Sequence, residues 1–226
     1  MCGRYTISKK QLAKGHRFAT QYSNVVNDPN YNAAPSQSLP VITNQDKKHI
    51  QLFHWGLIPF WTKELKGARK PINARAETII EKLSFRSLLK SKRCLVLADS
   101  FYEWKVTPQG KVPHRILLKN EELFTFAGLW DEWADKSTGE VLHTFSIITT
   151  EANELVHPIH DRMPVILTPE AEELWLNNDE TPKELLDLLT PYPAEEMKAY
   201  PVSPLVNSPL NNSPELLNSL WSWSFN

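Results

Sequence analysis

The residue that follows the initiating methionine is Cys2. A cysteine there has chemistry open to no internal cysteine. Methionine aminopeptidase removes Met1 when the next residue is small, and removal leaves a 1,2-aminothiol at the start of the chain. The α-amine has a reference pKa of about 7.7–8.0 and the thiol about 8.5, so a minority of the amine is neutral near pH 7. Neutral amine attacks an aldehyde to give an imine. The neighbouring thiol then adds to that imine and closes a thiazolidine ring. Closure is intramolecular, where effective molarities reach on the order of 10⁵–10⁸ M. Residue type alone leaves the plain alternative open, a cysteine that merely follows the start codon.

Three internal stretches carry further candidates. In Pro71-Ile-Asn-Ala-Arg-Ala-Glu-Thr78, Asn73 offers an amide donor and acceptor, and Arg75 a planar donor fork suited to phosphate. A helix entry with solvated polar residues would look the same. In Asp99-Ser-Phe-Tyr-Glu-Trp-Lys105, strand alternation puts Tyr102 and Trp104 on one face and Phe101, Glu103 and Lys105 on the other. A desolvated Glu103 would have the raised proton affinity a general acid or base needs near neutrality, and a wet strand face is the alternative. In His157-Pro-Ile-His-Asp-Arg-Met-Pro164, His160 can move protons near neutrality, with Asp161 or Arg162 to tune it or to bind phosphate. A polar turn before a strand explains the same residues. His157 and His160 are separated by Pro158 and joined by no further ligand motif, so no metal site is expected.

The elements that must hold these residues are mostly strands. Residues 3–7 read as an opening strand, and Ser8 as the cap of a modest helix running from Gln11 to Ala19. Residues 25–38 read as a loop. Leu39–Thr43 and His49–Phe53 read as a strand pair, and Ala74–Leu89 shows helical spacing with Phe85, Leu88 and Leu89 on one face. Strands follow at Arg93–Ala98, Phe101–Val106, His114–Lys119, Leu123–Leu129, His143–Thr149 and Met163–Leu167. Thr168 and Thr181 each precede a proline and acidic residues, the mark of two helix starts. The most basic segment is 62–72, with Lys63, Lys66, Arg69 and Lys70 against the single acid Glu64. This order predicts an α+β chain, one compact domain over 1–226 with a barrel-like, mostly antiparallel sheet, peripheral helices and a largely coil tail over 203–226. No glycine-rich phosphate loop is present, which argues against a nucleotide-binding α/β enzyme.

Composition narrows the class. The chain has 226 residues, 41% of them apolar, and a formal charge of −1 from 25 basic and 26 acidic residues. That balance opposes indiscriminate polyanion binding and leaves room for a local basic groove. Cys94 sits in an apolar strand and reads as a core residue, so no disulfide framework is expected. With no leader-like start and no long apolar run, a cytoplasmic, membrane-free location is the expectation.

Taken together and in order, these pieces resemble the SRAP domain, the SOS response-associated peptidase family, known as abasic-site processing proteins. The matching pieces are Met1-Cys-Gly-Arg-Tyr5, Tyr31-Asn-Ala-Ala-Pro35, Trp55-Gly-Leu-Ile-Pro59, Ile72 through Thr78, Cys94 through Lys105, Phe126-Ala-Gly-Leu-Trp130, Phe145-Ser-Ile-Ile-Thr149 and His157 through Pro164. The resemblance implies a compact, mostly β fold. It implies covalent capture of abasic sites in single-stranded DNA by Cys2 as a thiazolidine, with Asn73 holding the sugar and Glu103 and His160 as catalytic groups. It also implies that Arg4, Arg75 and Arg162 contact DNA phosphates, while Trp61 and Trp104 are candidates to stack on flanking bases. No cofactor and no metal are expected, and a monomer is. Two other readings stand beside it: a thiol peptidase or autopeptidase using Cys2, His160 and Glu103, and a non-covalent binder of single-stranded or modified DNA.

Overall fold

The computed structural model describes residues 2–8 and 29–220. The helix expected between Gln11 and Ala19 lies outside the described residues. Among those described, the first strands are β1 (Tyr5–Ile7), β2 (Asn30–Ala33), β3 (Ser38–Thr43), β4 (Gln51–Trp55) and β5 (Asn73–Arg75). Helix α1 (Leu83–Ser91) separates them from β6 (Arg93–Ala98), β7 (Ser100–Thr107), β8 (Gly110–Leu118), β9 (Phe124–Ala134) and β10 (Val141–Glu151). The short strands β11 (Arg162–Pro164) and β12 (Ile166–Leu167) precede α2 (Pro169–Leu176), α3 (Pro182–Asp187) and β13 (Met197–Pro201).

Five strands close on themselves. β10 pairs with β4, β4 with β3, β3 with β6, β6 with β9, and β9 returns to β10. All of these pairings are antiparallel except β10 with β4. A second sheet runs β13-β8-β7-β1-β2. The fold is therefore α+β around a barrel-like core, as expected. The continuous apolar run of β6 follows from burial on both faces. Cys94, Val96 and Ala98 face one core cluster, and Leu95 and Leu97 face the other, beneath the helices. Gly128 on β9 is needed opposite Cys94 on β6, since a Cβ there would lie 2.8 Å from the Cys94 Sγ. Arg93 is buried by a capping role: its guanidinium donates to the Leu89, Lys90, Trp175 and Asn177 carbonyls at the ends of α1 and α2.

Tertiary pairing overrides local pattern in several places. The expected loop over 25–38 contains β2, which pairs with β1. The helical spacing from Ala74 is interrupted: Asn73–Arg75 is a strand, a 3-10 turn covers Ala76–Thr78, and α1 begins only at Leu83. β10 supplies the reason, because its residues 147–149 pair in parallel with 73–75 and extend the barrel ladder. Phe85, Leu88 and Leu89 do form the buried face of α1. Met163–Leu167 is two short strands, and β13 carries no alternation that marked it in advance. Thr168 and Thr181 cap α2 and α3, the latter in a full capping box with Glu184. The tail after Ser203 contains two 3-10 turns that bury Val206 and Leu216 against Tyr102 and Val202.

Candidate active site

Cys2 is brought to Glu103 by strand register. β1 and β7 pair with Tyr5 opposite Phe101, and the Tyr102 N–H donates to the Arg4 carbonyl, so the ladder continues toward the start of the chain. That continuation sets the Cys2–Gly3 stretch beside Glu103. Cys2 is fully buried in the cluster that holds Trp55, Phe101, Val156 and Met163. Burial pushes its thiol well above the ordinary range, and the Glu103 carboxylate adds to the rise. Glu103 is only 3% exposed. Burial raises its carboxyl above the usual value, opposed by the positive amino terminus and by His160. The alternation read from sequence holds, with Phe101 and Glu103 on the inner face.

His160 ends the turn that joins β10 to β11. Asn153 builds that turn: its Oδ1 accepts from the Val156 N–H, and its Nδ2 donates to the Tyr192 carbonyl at 2.6 Å. The His160 Nδ1 accepts from the Arg162 N–H at 3.0 Å. The exposed Asp161 Oδ1 stands 2.9 Å from the same Nδ1. A cleft of about 510 Å³ is lined by Glu103, His160, Trp104, Val106, Lys111 and Asn207. Trp104 is held there by its Nε1–H, which donates to the Asn207 Oδ1 at 2.7 Å.

Asn73 arrives on β5. Its amide nitrogen and oxygen are both buried, and neither has a hydrogen-bond partner among the described residues. A buried amide in that state has donor and acceptor capacity open to a water or a ligand. Ile72, its neighbour, packs against the cluster that contains Cys2. Asn73 also lines an open groove of about 890 Å³, together with Trp61, Arg75, Lys63, Lys66 and Lys70. Arg69 and Lys82 line it too, with Glu64 as the acid. The basic run noted in the sequence thus forms a wall of the groove, which charge clustering signalled without assigning it a role.

Trp61 lines this groove and is 46% exposed, and Phe60, 63% exposed, packs edge-on against it with ring centroids 5.0 Å apart. Three bonds from β9 and β10 fix their loop. The Ile58 N–H donates to Thr144 Oγ1, the Phe60 N–H to Asp131 Oδ2, and the Trp133 Nε1–H to the Thr62 carbonyl. Buried Asp131 also pairs with Lys92 at 2.9 Å. Nothing local in the sequence ties Asp131 to residue 60, which lies 71 positions earlier.

The remaining expected contacts are placed differently from one another. Arg75 is exposed at the groove. Arg4 turns inward, its Nη1 donating to Asn32 Oδ1 and to the Val206 carbonyl, both at 2.7 Å. Arg162 directs its end-on fork at Glu77. Among the described residues no three His, Cys, Asp or Glu side chains converge as metal ligands, and no helix is long and apolar enough to cross a membrane.

The family model of the SOS response associated peptidase (SRAP) matches residues 1–209. The chain is 50% identical over 224 residues to the abasic site processing protein YoqW of Bacillus subtilis, covering 97% of this chain and 100% of that one. It is 48% identical to the abasic site processing protein YoaM of the same organism, over 97% of this chain and 98% of that one. A crystal structure of a Bacteroides thetaiotaomicron protein superposes with a TM-score of 0.89 at 38% identity, covering 96% of this chain and 99% of that one. Model, relatives and fold agree across nearly the whole length, and the chain belongs to the SOS response associated peptidase (SRAP) family.

Proposed function

We propose that this protein processes abasic sites in single-stranded DNA by capturing them covalently on Cys2. The observation that carries the reading is a buried Glu103 carboxyl in electrostatic contact with both Cys2 and His160. The names of its two close Bacillus relatives support the substrate class.

Removal of Met1 frees the Cys2 amine. An abasic deoxyribose is mostly a closed hemiacetal, so opening must deliver a proton to the ring oxygen as the C1′ hydroxyl loses one. Glu103, with its proton affinity raised by burial, is suited to that transfer. The amine adds to the C1′ aldehyde and water leaves, giving an imine. The Cys2 sulfur then bonds to C1′, and the thiol proton ends on the nitrogen. Aldehyde and aminothiol are thereby joined with loss of one water. An imine left open invites β-elimination and strand cleavage, and ring closure removes that route. The unpaired Asn73 amide is suited to a sugar oxygen, and His160 to proton transfer during imine formation. Burial raises the Cys2 thiol, so its proton must be drawn off as the sulfur bonds to C1′. The same burial opposes the resting thiolate that a Cys2–His160 peptidase would use.

The test mixes protein with a single-stranded oligonucleotide carrying one abasic site and resolves the products on a denaturing gel. A shifted band from wild type, absent for Cys2→Ala and for an N-terminally extended form, is expected. No band from protein whose N-terminal Cys2 is confirmed by mass spectrometry would overturn the reading in favour of peptidase chemistry. Undiminished binding by Cys2→Ala with no denaturation-stable product from wild type would favour a non-covalent binder.

A further inference from the structure

Arg162 on β11 reaches across β10 to the turn after β5. Its Nη1 donates to Glu77 Oε1 at 2.7 Å and its Nη2 to Glu77 Oε2 at 2.9 Å. The same Nη2 donates to the Thr149 carbonyl at 2.7 Å. The side chain is 11% exposed, against 43% for Glu77. Two of its five N–H groups are left over: the second on Nη1, and the Nε–H, which is buried and has no hydrogen-bond partner among the described residues. A buried donor without a protein partner is unfavourable, and a water or a ligand atom can supply the acceptor. The orphaned Asn73 amide lies on the other edge of the same strand. Asn73 pairs with Ile147 and Arg162 with Glu151, so two unsatisfied polar groups flank five residues of β10. Glu77 therefore does more than neutralise a cation. Its bidentate grip, with the Thr149 carbonyl, leaves the guanidinium one orientation out of the many that a free arginine side chain samples.

We propose that Glu77 is a positioning residue: it holds Arg162 so that the guanidinium's remaining N–H donors meet a backbone phosphate of the bound strand. This rests on the DNA-binding part of the proposed function and not on the cross-link chemistry. A surface ion pair without that role would leave DNA affinity alone. A Glu77 that merely occupied the phosphate's place would weaken binding, and its removal would strengthen the Arg162 contact. The N–H groups that Glu77 and Thr149 leave unused favour the positioning role, because a phosphate can bond to them while Glu77 keeps its grip.

The experiment is a double-mutant cycle on binding of an undamaged, fluorescein-labelled single-stranded oligonucleotide, with wild type, Glu77→Gln, Arg162→Gln and the double variant. Thermal melts accompany each protein, and Arg162→Lys serves as a second probe that keeps the charge and loses the fork. Arg162→Gln is expected to weaken binding about tenfold in the wild-type background, the worth of one charge-assisted hydrogen bond, and less than about twofold when Glu77 is Gln. Its loss should also lower the salt slope by about 0.7, one single-strand phosphate contact. An equal cost in both backgrounds would overturn the proposal in favour of an inert ion pair. A larger cost with Glu77→Gln would make Glu77 a competitor, and no cost in either would take Arg162 off the DNA. Covalent capture is scored separately on an abasic strand. Its absence would sink the cross-link reading and leave the result of the cycle standing.

Discussion

The basic groove and the site around Cys2 work by opposite electrostatics. The groove is open and lined by Lys63, Lys66, Arg69, Lys70, Arg75 and Lys82. Its cations are hydrated, so they act over distance and weaken with salt. At the other site Cys2 and Glu103 are buried beside a partly exposed His160, and burial raises the proton affinities of the first two. The first region can hold a polyanion of any sequence, damaged or whole. The second can do chemistry only on a group that enters it. A net charge of −1 is compatible with this division, because only one wall has to be basic.

The sharpest way to separate the regions is Glu103→Gln. Capture of an abasic strand should slow by about 10²–10⁴, the usual worth of a positioned acid or base, while affinity for an undamaged strand stays unchanged. The same variant has a signature in stability. The folded-state proton affinity of Glu103 is raised, so the native protein binds that proton more tightly than the unfolded chain does. The associated stability is full below the unfolded carboxylate value of about 4.3 and is lost as pH rises through the higher folded value. Thermal melts of wild type should show this decline, and Glu103→Gln should lack it. Equal pH profiles would show that Glu103 is solvated after all.

Asn73→Ala tests the boundary between the regions. Capture should fall about ten- to a hundredfold, as for one or two lost hydrogen bonds, with no loss of melting temperature because the amide has no protein partner to lose. A large drop in melting temperature would make Asn73 structural. The smallest effect on chemistry belongs to the groove. Replacing Lys63, Lys66 and Lys70 together by Ala should lower the salt slope of binding by about 2, near 0.7 per contact, and leave capture at saturating strand unchanged. A fall in capture under saturation would join the two regions into one.

Much of this site is legible in the sequence because its chemistry is tied to residue type. Cys2 is a candidate for aminothiol chemistry through its position next to Met1 alone. Glu103 can be placed on the same strand face as Phe101 because strand alternation is strict, and helix starts at Thr168 and Thr181 are local events that capping residues announce. Asn73 is recognisable as a candidate by type, whereas its element is not, since a parallel pairing with β10 depends on a strand more than 70 residues away. Glu77, Asp131 and Asn207 carry no local signal. Each acts through a partner distant in sequence: Arg162, Phe60 and Trp104. Resemblance names Arg4 and Arg162 as phosphate contacts, whereas only the folded chain reveals that Val206 and Glu77 already hold them.

By itself, the sequence determined which groups are available: a thiol at position 2, a carboxyl, an imidazole, an amide and a cluster of cations. It also determined the family and the β-rich class, because periodicity and motif order are properties of the chain. Tertiary structure alone decided which carboxyl is desolvated, which amide is left without partners and which arginines remain free. Burial and pairing are the reason. They depend on what the closed barrel and its second sheet bring against each side chain, and no window of sequence contains that information.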